Sequence, residues 1–175
     1  MSTWTIDPAH SEVQFKVKHL VISTVTGSFK NFEGTLVADK EDFSDSKISF
    51  SADIDSIETN NAQRDGHLKS PDFFDAANHP KLTFVSESFV KKSDTTFALK
   101  GKLTMRGTSK TIDITAEHGG TGKDLYGNTV TAFELNGKLN RQDFGLTWGA
   151  LTEAGGAVVS DEIKLHLNIE LKKEL

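Results

Sequence analysis

Apolar and polar residues alternate along most of this chain. In Glu12–Leu20, Val13, Phe15, Val17 and His19 share one face, and Glu12, Gln14, Lys16 and Lys18 share the other. Lys47–Ser56 sets Ile48, Phe50, Ala52 and Ile54 opposite Ser49, Ser51, Asp53 and Asp55. The same period runs through Phe97–Met105, Lys110–His118, Thr131–Leu139 and Asp161–Leu171. A period of two predicts half-buried strands with one dry face and one wet face. Thr26–Ala38 and Lys81–Val90 are expected as strands by position, although their phase is blurred in the manner of a bulge. Lys92–Asp94, Arg106–Thr108 and Lys123–Asn128 are short polar connections, so neighbouring strands should be antiparallel.

About eight long strands, no helical repeat, and glycines at positions 34, 101 and 137 inside strand patterns fit a closed antiparallel barrel. A two-sheet sandwich is the rival, because alternation alone does not separate the two. No linker or internal repeat interrupts residues 1–175, which predicts one domain.

One segment breaks the pattern. Residues 59–75 read as a short helix, a break, and a second turn ending in Phe73-Phe74. Asn60 with Gln63 resembles a capping box. Asp65 with Lys69 is a favourable helical pair. Ser70-Pro71 looks like the start of the second turn. Two adjacent phenylalanines in a polar excursion need apolar cover, which predicts a lid over an open barrel end.

Composition sharpens this picture. Twelve Phe against two Trp and one Tyr suits sealed apolar space that offers no polar handle, and predicts a lined cavity or a large core. The net charge of −5 argues against a nucleic-acid partner. Cys is absent, so thiol chemistry and Cys-held metals are excluded. The six His show no H-x-x-x-H or H-E-x-x-H spacing, and no metal or other cofactor is expected. No serine sits in a G-x-S-x-G turn, and no catalytic residue is assigned. No transmembrane segment is expected. Met1–Ile6 has neither a basic n-region nor an apolar h-region, which predicts a cytoplasmic protein, or a periplasmic one from which a leader has been removed.

Arg64-Asp65-Gly66-His67 carries the strongest chemical suggestion. An Asp65–His67 acid/base couple would make this rim an enzyme site for a lipophilic substrate. On a regular helix, however, Arg64, His67 and Leu68 share a face and Asp65 does not, so Arg64 and Asp65 are expected to tie the insert to the rim. Arg141, in Arg141-Gln142-Asp143-Phe144-Gly145, could hold an anionic head group, or equally pair with Asp143 or a rim carboxylate. Residues 153–157 lack the Lys-Ser/Thr of a phosphate loop.

Several segments together resemble the YceI-like family of polyisoprenoid-binding proteins. They are the opening Trp4–Leu20, Thr26-Gly27-Ser28-Phe29, Phe32-Glu33-Gly34, Ser56–Thr59 running into Arg64–Asp75, Pro80–Phe84, Gly101–Gly107 and Asn140–Gly145. The resemblance implies an eight-stranded lipocalin-like barrel with a helix near its mouth and a long isoprenoid or similar amphiphile in its pore. It also implies a homodimer in some members and export to the periplasm in many.

The candidate lining is Phe15, Val17, His19, Phe50, Ile54, Phe84, Leu103, Met105, Ile114, Phe133 and Leu135, with Phe73 and Phe74 closing one end. His10, Arg64, Asp65, His67 and Arg141 are the candidate polar rim. The expected function is non-enzymatic binding or carriage of an isoprenoid-type lipid. The rivals are the rim enzyme and an interaction domain with a solid core.

Overall fold

A computed structural model of the chain describes residues 1–19, 23–147 and 159–175, and of His19 it describes only the place in its strand. The alternating segments become β1 (Ser2–Ile6), β2 (Glu12–His19), β3 (Ser23–Phe29), β4 (Phe32–Ala38), β5 (Lys47–Asp53), β6 (Ile57–Glu58), β7 (Lys81–Lys91), β8 (Thr96–Met105), β9 (Thr108–Lys123), β10 (Thr129–Asn140) and β11 (Val159–Lys173). All ladders are antiparallel. The order β1-β4-β5-β7-β8-β9-β10-β11 returns to β1, where Trp4 faces Lys173 and Ile6 faces Leu171. That last pairing closes an eight-stranded barrel and excludes the sandwich.

Closure depends on a strand that alternation does not reveal. β1 ends where Asp7 and Pro8 start a 3-10 turn, Pro8–His10. Pro8 cannot donate to a ladder, and the Asp7 carboxylate accepts the Ala9 N–H at 3.1 Å instead. After this break β2 continues along β11, with Phe15 opposite Leu165. The stretch expected as one strand, Thr26–Ala38, is likewise two strands separated at Lys30-Asn31. Lys47–Ser56 gives way after Asp53 to a second 3-10 turn, Ile54–Ser56, before β6.

The blurred phase of Lys81–Val90 is a bulge: Ser86 faces Gly101, but Ser88 faces Lys100. The extra residue, Glu87, lets both Phe84 and Phe89 point inward. Two glycines inside strands make room for rings. Phe15 lies across Gly27, its direct cross-strand partner, and Phe84 lies across Gly101; a Cβ at either glycine would come within 2.2 or 2.3 Å of the ring's Cζ, respectively.

The insert forms one helix, α1 (Ala62–Lys69). Its N-cap is Asn61, whose side chain accepts the Arg64 N–H at 3.0 Å; Asn60 stands one residue earlier with φ +63°. Asp65 turns toward Thr59, where both its partners lie, and not toward Lys69. Ser70 caps the C-terminus of α1, and its carbonyl accepts the Phe73 N–H at 3.0 Å, which opens the turn that buries Phe73 and Phe74. Among the described residues, no helix is long and apolar enough to cross a membrane.

Candidate functional site

The inward faces of the strands surround a cavity of about 310 Å³. One end is sealed. Phe43 enters it from the loop between β4 and β5, packing on Trp4 at 5.4 Å, on Phe133 at 5.6 Å and on His118 at 5.2 Å between ring centroids. Phe89 and Phe97 stack at 4.5 Å, and each meets the Phe133 ring edge-on at 6.0 Å. This floor makes the interior a blind pocket rather than a through-pore.

Phe43 adopts φ +66°, an uncommon backbone state for a phenylalanine. The Phe43 carbonyl accepts the Ser46 N–H and hydroxyl, and the Asp45 N–H donates to the Phe89 carbonyl at 2.9 Å. The sequence reading missed this residue. A lone Phe among Asp, Ser and Lys invites the same inference that Phe73-Phe74 did.

His118 stacks on Phe133 and is hydrogen-bonded to the buried Thr131 hydroxyl at 2.6 Å. That hydroxyl also receives the Thr121 hydroxyl and donates to the Gly120 carbonyl, so His118 Nε2 is the donor of its pair. Burial, helped by nearby Lys91, pushes the His118 imidazole below its ordinary range and keeps it neutral.

The other end is covered by the insert. Phe73, Phe74, Leu68, Arg64 and His67 all line the pocket. Phe74 meets Phe29 edge-on at 6.2 Å, and Arg106 fixes the turn by donating to the Phe73 carbonyl at 2.8 Å. Arg64 donates to the Thr59 hydroxyl at 2.8 Å and to the Thr59 carbonyl at 2.6 Å, and Asp65 accepts the Thr59 N–H at 2.9 Å. These contacts fasten the helix to the barrel rim. His67 pairs with Asp72 at 2.9 Å, not with Asp65. The proposed acid/base couple is therefore absent: α1 turns the two side chains to different partners.

Arg141 stands where β10 ends. It is 3% exposed, yet it lines the pocket. Its guanidinium donates to the carbonyls of Leu146 at 2.5 Å, Ser160 at 3.0 Å and Val159 at 3.4 Å, and lies 3.3 Å from the Asp161 carboxylate. It also sits 6.0 Å from the Phe73 ring centre. Burial pushes its pKa below the usual arginine value, and Asp161 opposes that shift. The guanidinium stays charged, and among the described residues its carboxylate partner is Asp161 rather than Asp143.

Of the candidate lining, Phe15, Val17, Phe50, Phe73, Phe74, Phe84, Leu103, Met105, Ile114, Phe133 and Leu135 border the cavity. Ile54 does not border it. It is buried in its 3-10 turn, with its N–H bonded to the Pro80 carbonyl at 2.9 Å. The His19 side chain lies outside the described residues, as does the 153–157 segment.

Of the candidate rim, Arg64, His67 and Arg141 face the cavity, and Asp65 is occupied by Thr59. His10 is on the barrel flank. The Asp7-Pro8 break turns it outward beside Glu170, and Asp7 holds its Nδ1 at 2.7 Å. Asp7, His10 and Glu170 bring ligand atoms within 4.8 Å of one another, but the Asp7 carboxylate is already shared by His10, the Ala9 N–H and Lys172.

The model of the YceI-like domain matches residues 4–171. Protein YceI of Salmonella newport is 36% identical over 161 residues, 92% of this chain and 81% of that one. BcnA of Burkholderia cenocepacia has the same fold, with a TM-score of 0.82 and 21% identity over 94% of this chain and 98% of that one. A polyisoprenoid binding domain from Saccharophagus degradans also shares the fold, at a TM-score of 0.71 and 14% identity over 98% of each chain. A family match over nearly the whole length, on a closed barrel with a lidded apolar pocket, makes this chain a member of the YceI-like family.

Proposed function

We propose that this chain binds and carries a long-chain isoprenoid, or a similar amphiphile, without changing it chemically. The observation that carries the reading is the barrel cavity, whose described lining is predominantly aliphatic and aromatic from the Phe133 floor to the Phe73-Phe74 lid. Each methylene moved from water into such a space gains about 0.8 kcal/mol, so a tail is held without any polar contact inside. Among the described lining residues the ionisable side chains are Arg64, His67 and Arg141, all toward the mouth, so the head of the molecule stays there. The volume lies at the lower end of the ~300–1,000 Å³ usual for ligand sites. The name of the Saccharophagus domain is in keeping with this ligand class.

The test is solvent extraction of the purified protein with mass spectrometry of the extract, followed by add-back of polyprenols. A co-purifying apolar molecule, or saturable uptake of added polyprenol, is expected. A protein that is reproducibly empty and refuses every prenol sinks the reading. Prenyl esters, prenyl diphosphates and quinones should survive incubation intact. Turnover that disappears in both Asp65→Asn and His67→Gln would make the protein an enzyme instead.

A further inference from the structure

We infer that the closed end of the pocket is a length gauge for the bound tail, and that Ala116 and Phe133 set its stop. The inference rests on the pocket being a tail site, and it adds which tails fit.

Phe133 cannot yield to a chain end. Its ring is wedged between Phe43, Phe97 and His118 at centroid distances of 5.6, 6.0 and 4.8 Å. Packing of this density gives way only by breaking several contacts at once. Immediately above it, Ala116 is wholly buried and borders the cavity, with Phe97 and Leu135 as its cross-strand partners. Because Ala116 ends at Cβ, the space above it belongs to the pocket. A larger side chain at this one position would raise the floor, and a smaller one at Phe133 would lower it.

The strand between Phe133 and Arg141 runs from floor to mouth. At ~3.3 Å per residue this is about 26 Å. A barrel tilt of ~40° reduces it to about 20 Å along the axis. An extended saturated chain advances about 1.2 Å per bond. The pocket therefore takes up about 16 main-chain carbons, which corresponds to roughly four isoprene units at four main-chain carbons each.

The consequence is a break in a homologous series. Affinity should rise about fourfold for each added methylene while the chain end is still descending. It should then level off, because further carbons remain outside in water.

The experiment is displacement of a fluorescent apolar probe, anilinonaphthalene sulfonate, by unbranched primary alcohols of increasing length and by prenols of two to eight units. Wild type should level off near the length given above. Ala116→Phe should move the break to shorter chains, and Phe133→Ala should move it to longer ones. Ala116→Leu and Phe133→Leu serve as smaller steps in the same directions should either larger change fail to fold. Opposite displacements of the break by the two sites support the gauge. A break that stays in place in both variants, or a series that rises without levelling to eight units, overturns the gauge while leaving tail binding standing. If no alcohol or prenol displaces the probe, the carrier reading fails and the gauge fails with it.

Discussion

Replacing Arg141 with methionine separates two roles that the sequence left open for this residue. Methionine keeps most of the length and apolar stem but removes every donor. In the structure the guanidinium ties two other stretches of chain to the end of β10: Leu146 beyond that end, and Val159 and Ser160 at the start of β11. Two of those contacts, at 2.5 and 3.0 Å, are strong charge-assisted hydrogen bonds, and each contributes about 1.5–3 kcal/mol. The third, at 3.4 Å, is long and adds little. Asp161 is about half exposed, so water screens that pair and it adds at most about 1 kcal/mol. The new apolar side chain recovers part of the loss by packing near Phe73.

The expected net cost of Arg141→Met is therefore about 3–4 kcal/mol. For a urea m-value of ~2 kcal/mol/M, the unfolding midpoint should fall by roughly 1.5–2 M. Arg141→Lys should restore little, because an ammonium cannot reach separate carbonyls with a planar fork. Equilibrium urea unfolding of the ligand-free proteins measures all three. A loss below about 1 kcal/mol in the methionine variant, coupled with weaker ligand binding, would refute this account and make Arg141 a head-group anchor instead.

Two further outcomes follow from other contacts. Its hydrogen bond to Asp7, and then the charges of Asp7 and Glu170, hold the His10 pKa above the ordinary imidazole value; the same hydrogen bond leads in holding Asp7 below the ordinary carboxylate value. By linkage the pair stabilises fully between those two ordinary values. The His10 part is lost as pH rises through its raised pKa, and the Asp7 part as pH falls through its lowered pKa. An NMR titration should show His10 returning toward its ordinary value in Asp7→Asn, and an unchanged titration would contradict the assignment. At Gly101, alanine should cost about 1–3 kcal/mol, since its Cβ would lie 2.3 Å from the Phe84 Cζ and 2.7 Å from the Val85 carbonyl. Combining it with Phe84→Leu should restore part of the loss, and strict additivity would disprove the ring-over-glycine arrangement.

The wall of the barrel was legible because each wall residue declares its face through the identity of its neighbours two positions away. Phe15, Ile114 and Leu135 could be placed inward from sequence for that reason. The lid was legible because Phe73-Phe74 is chemically out of place in its segment. What the sequence hid are features decided by distant backbone. β1 contributes only a short run and closes the barrel through residues near the opposite end of the chain. The partners of Arg141 include carbonyls, which carry no sequence signature at all. Asp65 and His67 are adjacent enough to suggest chemistry, and only the helix geometry and the position of Thr59 separate them. Phe43 was overlooked because a single aromatic residue in a polar loop breaks no periodic pattern.

The three interrupted strands leave the barrel unevenly fastened. In the closed ring each strand has a ladder on both sides. Among the described residues, β6 has only one, to β3, through Ser28–Glu58 and Phe29–Ile57. Between β6 and β7 the mouth is bridged by the insert, fastened by the Thr59 contacts and by Arg106. Opening this seam disrupts a two-pair ladder, a few side-chain bonds and the burial of Phe73 and Phe74, and every ladder of the ring remains intact. Such a seam is a local unfolding unit whose free energy lies well below that of the whole domain. The cover of the pocket and the closed ring of the barrel are thus held by different sets of residues, so a substitution at Thr59 or Arg106 loosens the cover while every ladder of the ring stays as it was.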